Sequence, residues 1–468
     1  VKRSPLFWLV LCAFLSAGPA LSQGVTLPDV LRVELENGAV LILHEKHDVP
    51  LIGVQAMIRG GAVSDPGGKS GLASLLAGML EKGAGSRDAA AFAETVDAVG
   101  GSLSARAGLE SITLSGEFLA RDADLLIELL VDMLREPTLD AAEMKKLRDR
   151  RIDLIRAAKD GDPRRLSPIY GNAFLFGEHP YGAPVDGNEE SLAKITQRDL
   201  LGYYRDYVGA DRLIVAVAGD FDAAAIADKL SAAFAEWRKA AAPLPEFDAP
   251  VPEQGRRVLL VDKPGATQTY FWIGNVGVDI HYAHRAELDI ANTLFGGRFT
   301  SLLMDELRTK AGLTYGARSV LLRPAKAGSV AIVSYTKTDT TIAAMDLALS
   351  LLVRLHDEGF GDDLVLSGKN YILGQFPPRL ETAAQLAGQF ARLEAYGLDA
   401  SYVDDYGDAI AGASGESIRS VISTVYPQSD NLVFVILGDA DLIRDDIAKY
   451  GPVTEMLMTD PRFRPATP

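Results

Sequence analysis

Residues 210–222 read ADRLIVAVAGDFD and residues 429–441 read SDNLVFVILGDAD, two stretches that lie 219 positions apart. Each is an apolar run closed by Gly-Asp, with a second Asp at the same place, Asp222 and Asp441. An unbroken apolar run ending in Gly-Asp reads as a buried strand. The Asp beyond it reads as the cap of a following helix, since a carboxylate there accepts from N–H groups that the first helical turn leaves unpaired. The same strand-to-helix turn met twice predicts a duplicated domain. A chain of 468 residues is long enough for two domains of ordinary size.

Between the two copies, Ala240-Ala241-Ala242-Pro243-Leu244-Pro245 and Ala249-Pro250-Val251-Pro252 interrupt regular patterning and read as an extended linker. The expected organisation is therefore a leader at 1–22, an N-terminal domain at 23–239, a linker at 240–255 and a C-terminal domain at 256–468. Leu31 to Val40, with Asn37-Gly38 at its turn, reads as a hairpin. Ala89 to Val99, Asp122 to Arg135 and Ala141 to Ala158 read as amphipathic helices. Strands and helices come in runs rather than in strict alternation. That pattern predicts an α+β fold, each domain a largely antiparallel sheet with helices packed on one face.

Hydrophobic residues make up 48% of the chain and charged residues 24%, a balance that supports folded cores and excludes a disordered chain. The first 22 residues set Lys2 and Arg3 before an apolar stretch from Leu6 to Leu15 and end in Ala20-Leu21-Ser22. This is the layout of a secretory signal peptide and predicts an exported, periplasmic protein. The apolar stretch is shorter than the roughly 20 residues of a membrane span, so no integral segment is expected after cleavage; an uncleaved anchor is the alternative. The single cysteine, Cys12, lies in that leader, so disulfides and Cys-ligated metal are excluded from the remainder. The formal charge is −16, and becomes −18 without Lys2 and Arg3. So acidic a chain is a poor partner for nucleic acid or anionic lipid.

Further motifs carry a resemblance. Glu36-Asn37-Gly38, Asp65-Pro66-Gly67-Gly68, Gly71-Leu72-Ala73, Lys82-Gly83, Glu178-His179-Pro180-Tyr181-Gly182, Asp186-Gly187-Asn188 and Val217-Ala218-Gly219-Asp220 follow one another in the first half. Gly296-Gly297, Phe299-Thr300-Ser301-Leu302-Leu303, Glu306-Leu307-Arg308 and Gly312-Leu313-Thr314-Tyr315 follow in the second. In this order they resemble the pitrilysin/insulinase family of zinc metallopeptidases, in its processing-peptidase branch. The resemblance implies two homologous α/β-roll domains per chain.

It also marks a loss. Two imidazoles at i and i+4 share a helix face and can bind zinc, with a Glu between them as base for a metal-bound water. In residues 71–80, GLASLLAGML, the positions that would carry His, Glu and His hold Ser74, Ala77 and Gly78. The family's third ligand, a Glu on a later helix, falls close to Leu154, with Asp153 one position and about 100° away around that helix. No metal or other cofactor is expected in this chain. Leu72, Leu75, Leu76, Met79 and Leu80 read as the core face of an ordinary helix. His44 with His47, and His281 with His284, are spaced to share a face, yet neither pair has a third ligand at a recognisable spacing.

The second half-site is kept. Asp305 to Lys310 reads as the last turns of a helix, Gly312 as its left-handed C-terminal residue, and Leu313-Thr314-Tyr315 as the start of a strand. Arg308 and Tyr315 match the arginine and tyrosine that the family directs at substrate, where a guanidinium and a phenol can donate to an oxygen gaining negative charge. Leu103-Ser104-Ala105-Arg106 holds the place of the family's peptide-pairing edge strand, where main-chain groups alone supply the bonds. The implied role is a non-zinc subunit that closes a peptide chamber and supplies Arg308 and Tyr315 to a zinc-bearing homologous partner. A peptide-binding or scaffolding homologue without catalysis is the alternative.

Overall fold

The structure, a computed structural model, describes residues 25–465. The expected leader at 1–22, with Cys12, lies outside the described residues. Two six-stranded sheets organise the rest. The first holds β1 (Leu31–Glu34), β2 (Val40–Glu45), β3 (Leu51–Arg59), β4 (Ser102–Ala107), β5 (Ser111–Leu119) and β6 (Leu213–Gly219), in the order β1-β2-β6-β3-β5-β4. The second holds β7 (Arg257–Asp262), β8 (Gln268–Val276), β9 (Ala317–Leu322), β10 (Ser329–Lys337), β11 (Val433–Gly438) and β12 (Val453–Leu457), in the order β9-β10-β8-β11-β7-β12. Started from β4 and from β9, the two orders coincide through five strands. Only the far edge differs, where β1 pairs antiparallel with β2 but β12 pairs parallel with β7. Apart from β12, the one parallel contact in each sheet is β2 with β6 and β7 with β11, so both sheets are largely antiparallel.

The two quoted stretches form β6 and β11, the innermost strands, buried along their whole length. Each leads into a helix, but the caps differ. Asp222 accepts from Ala225 N–H at 2.9 Å, whereas in the second copy the cap is Asp439 and Asp441 lies in the first turn. The neighbouring strand accounts for the shift. Glu45 at the end of β2 takes the Ala223 N–H at 2.6 Å, while Asp262 at the end of β7, one methylene shorter, takes the Ala440 N–H at 2.9 Å and draws the helix start inward. The hairpin turn falls as expected, with Gly38 at φ 93°.

One face of each sheet carries the helices of its own half, as the α+β reading requires. The other face is not bare: a helix from the opposite half covers it. Helix Ala383–Tyr396 lays Leu386, Ala387 and Phe390 on Val40, Ile42, Met57 and Ile214 of the first sheet. Helix Ser167–Phe176 lays Tyr170 and Ala173 on Leu259, Trp272 and Val435 of the second. Gly53 and Gly171 allow the close approach. A Cβ on Gly53 would stand 2.6 Å from Ala384 N, and one on Gly171 would stand 2.6 Å from the Trp272 ring. Each buried Leu or Phe contributes about 1.5–3 kcal/mol, so this reciprocal exchange ties the halves together far more firmly than a linker would.

Polar ties add to it. Lys263 Nζ donates to the carbonyls of Lys159, Asp160 and Gly161 at 2.7–2.8 Å, capping helix Ala141–Asp160 of the first half with a charge from the second. Glu110 accepts from Ala325 N–H at 2.9 Å and from the Tyr181 hydroxyl at 2.5 Å. Residues 240–255 contain no helix or strand, and Leu244, Pro245 and Phe247 within them line one pocket with Met57, Ala325 and Tyr396.

Candidate functional site

Helix Leu72–Leu80 begins after Gly71, whose φ of 95° suits glycine. Asp65 reaches across from the preceding loop, and its two oxygens accept from Gly71 N–H and Ala73 N–H, both at 2.8 Å. Burial pushes this carboxyl up to about 7, against the pull of those N–H groups. Leu72, Leu75, Leu76, Met79 and Leu80 fill the core, as the apolar spacing predicts.

On the opposite face, a guanidinium packs against Ser74 and Gly78, two of the positions where the sequence reading expected lost ligands. Arg151 Nη1 donates to Ser74 Oγ at 2.9 Å and Nη2 donates to the Ser74 carbonyl at 2.8 Å. Ser74 Oγ in turn donates to Asp186 Oδ1 at 2.6 Å. A Cβ on Gly78 would stand 3.0 Å from Arg151 Nη2 and 2.9 Å from Leu147 Cδ2, so the Arg151 side chain takes the space a side chain at 78 would need. Ala77 is buried. Burial disfavours the Arg151 charge, and the carboxylates of Asp186 and Glu81 offset that cost.

The third position is where sequence spacing and geometry part. Leu154 is 58% exposed on helix Ala141–Asp160, turned away from Ser74, and the residue that meets Ser74 and Gly78 is Arg151, three places earlier. Spacing fixes a residue's place along a helix, but the crossing of two helices fixes which one faces the partner. Zinc does not fit here. The niche offers no imidazole; its hydroxyl and the Asp186 carboxylate are bonded to each other, the Glu81 carboxylate is bonded to Ala105 N–H, and the Arg151 guanidinium would repel a metal cation.

Among the described residues no group of three or more His, Cys, Asp or Glu side chains is placed to hold a metal ion. His44 Nδ1 lies 3.0 Å from the Asp29 carbonyl oxygen. His47 Nδ1 lies 2.7 Å from Asp220, and that bond raises its pKa. His284 stands at the N-terminus of helix Arg285–Asn292, with His281 shortly before it.

The peptide-strand candidate Leu103-Ser104-Ala105-Arg106 falls within β4, which ends the first sheet, beside helix Leu72–Leu80. One outward group is already bonded: Ala105 N–H donates to Glu81 Oε1 at 2.6 Å.

In the second half, the helical segment Met304–Lys310 has wide, π-type turns, and Gly312 has φ 65°. The strand β9 begins at Ala317 rather than at Leu313, because Thr314 Oγ1 bonds both N–H and C=O of Gly316 at 3.0 Å and folds the segment into a turn. Tyr315 thus sits on a loop, 79% exposed. Arg308 lies with its guanidinium 4.7 Å from the centre of the Phe299 ring. Nearby carboxylates are used elsewhere, Asp305 and Glu306 by Lys310 and Glu306 also by Arg354, and Arg308 forms no ion pair among the described residues. Arg308 and Tyr315 line one open cleft of about 590 Å³ with Gln268, Tyr335 and Lys337. Arg164 of the first half stacks on Tyr335 at 4.3 Å.

Two family models match these regions. "Insulinase (Peptidase family M16)" matches residues 40–172, which hold Ser74, Gly78 and Arg151 of the niche, and "Peptidase M16 inactive domain" matches 194–371, which hold the open cleft. The chain belongs to the insulinase family. Among relatives of this insulinase-family chain, an uncharacterized zinc protease of Mycobacterium leprae is 25% identical over 381 residues, 81% of this chain and 85% of that protein. The non-peptidase homolog YmxG of Helicobacter pylori is 23% identical over 423 residues, 89% of this chain and 96% of that one. The crystal structure of a peptidase M16 inactive domain from Pseudomonas fluorescens shares the fold, with a TM-score of 0.81 at 22% identity over 88% of this chain and 98% of that one.

Arg151, Glu81 and Asp186 are the residues sequence reasoning left out of the site. Asp186 stands in a quoted motif, but Arg151 and Glu81 carry no local signal, since only the packing of one helix on another and on a strand brings them in.

Proposed function

We propose that this chain is a non-catalytic, peptide-binding homologue of the insulinase-family peptidases. The observation that carries the reading is the Arg151 guanidinium seated against Ser74 and Gly78, where the family's metal chemistry would need ligands. Further support comes from the terminal position of β4, a geometry suited to strand addition, and from the Arg308–Tyr315 cleft, whose guanidinium has no carboxylate of its own among the described residues. The name of the Helicobacter pylori relative points the same way. Extended, unfolded peptides are the ligand class, and the acidic surface favours basic or neutral ones.

A second reading is favoured by one feature, the exposure of Tyr315 beside Arg308: the pair would serve the zinc site of a homologous partner subunit. Peptide hydrolysis by this chain, by a zinc-bearing homologue and by the mixture separates the two. Activity gained only in the mixture, and lost with Arg308→Ala or Tyr315→Phe while the complex still forms, would establish shared catalysis; a partner indifferent to this chain leaves the binding role. We place either role outside the cytoplasm, in the periplasm, on the signal-like leader. Cell fractionation tests that placement. Among the described residues no helix is long and apolar enough to cross a membrane.

A further inference from the structure

We infer that the Glu81 carboxylate is a built-in competitor for peptide at the edge of the first sheet. The inference rests on the peptide-binding reading above and concerns how that edge is controlled. Along β4, residues alternate between bonding to β5 and turning their main-chain groups away from it. Gly108 N–H donates to the Ser111 carbonyl at 2.7 Å, and the register pairs Ser104 with Ser115 and Ala105 with Leu114. Ser102, Ser104 and Arg106 therefore bond inward, while Leu103, Ala105 and Ala107 direct N–H and C=O to the open edge. Those three residues are the ones an added strand would use.

Ala105 is the middle one, and its N–H is already taken by Glu81 at 2.6 Å. Glu81 is the C-terminal cap residue of helix Leu72–Leu80, which packs alongside β4, so its carboxylate is presented to the strand by a rigid element. A carboxylate is a stronger acceptor for a backbone N–H than a peptide carbonyl is. An incoming strand must displace it and then tolerate the negative charge next to its own carbonyl. Arg151 attracts the same carboxylate from the niche it fills. The residues that stand where a metal would be bound and the residue that blocks the strand edge thus form one electrostatic unit, and the edge opens only when Glu81 swings away.

The test uses the whole chain and a fluorescein-labelled unstructured peptide. Anisotropy gives the affinity for the unaltered protein, Glu81→Ala and Glu81→Gln, and amide hydrogen exchange follows residues 102–107. The expected result is binding about tenfold tighter for Glu81→Ala, with Glu81→Gln between, since the amide keeps an uncharged acceptor. The Ala105 amide should exchange faster in free Glu81→Ala than in the unaltered protein and become protected when peptide is added. Glu81→Gln keeps the side-chain shape and reports if the alanine variant folds poorly. Equal affinities within about twofold, or peptide protection that leaves residues 103–107 unchanged, would overturn the inference alone. No binding by any of the three would remove the peptide-binding reading, and the inference with it.

Discussion

Arg151→Met tests the filled niche through stability. The change removes both hydrogen bonds to Ser74, at 2.9 and 2.8 Å, and strips Asp186 and Glu81 of their neighbouring cation. Hydrogen bonds involving a charged group contribute about 1.5–3 kcal/mol each. Methionine restores some of the apolar contact of the arginine stem, so a net loss of about 3 kcal/mol is expected. With the halves interlocked and unfolding together over roughly 440 residues, each kcal/mol lowers Tm by about 1 °C, which predicts a drop of roughly 3 °C by scanning calorimetry. Arg151→Lys keeps the charge but not the two-pronged contact and should lose about half as much. A Tm for Arg151→Met within about 1 °C of the unaltered protein would show that the guanidinium carries no weight in the niche, and would refute the reasoning.

Three further outcomes follow from the same geometry. Ser74→His with Gly78→His and Arg151→Glu should bind zinc in a competition assay with a chromogenic chelator, whereas the same two histidines with Leu154→Glu should not, because Leu154 faces solvent and Arg151 still fills the niche. Asp65 titrates near 7 when folded and near 3.8 when unfolded. Between those values the folded state holds a proton that the unfolded chain has released, so stability should fall as pH rises through that window and level off above it. Asp65→Asn should flatten that slope in urea unfolding and cost about 1 kcal/mol, because it leaves one helix N–H without an acceptor. Lys263→Met removes the charge that caps three carbonyls of helix Ala141–Asp160 and should destabilise by about 1–2 kcal/mol, with faster amide exchange across residues 157–165; an unchanged exchange pattern would mean the helix end is held by packing alone.

Much of the architecture is legible in the sequence because it depends on short-range pattern. The apolar runs of β6 and β11, the Asn37-Gly38 turn and the core face of helix Leu72–Leu80 are each set by residues within a few places of one another. The register of Asp222 and Asp441 is not, since Glu45 and Asp262 on neighbouring strands decide where each helix starts. Nor is the exchange of helices Ser167–Phe176 and Ala383–Tyr396, because which sheet each covers is a matter of long-range topology. The same limit applies to the site. That Ser74, Ala77 and Gly78 offer no imidazole or carboxylate is readable directly. What replaced the ligands is not, because Arg151 reaches Ser74 from 77 residues away and Glu81 reaches Ala105 from 24.

The central claim is that this insulinase-family chain binds peptide without cutting it. Incubating the purified protein, with zinc present, with the labelled unstructured peptide and following anisotropy and mass spectrum together tests it directly. The account predicts saturable binding with the peptide recovered at its full mass. Cleavage products that disappear on adding a chelator would contradict it.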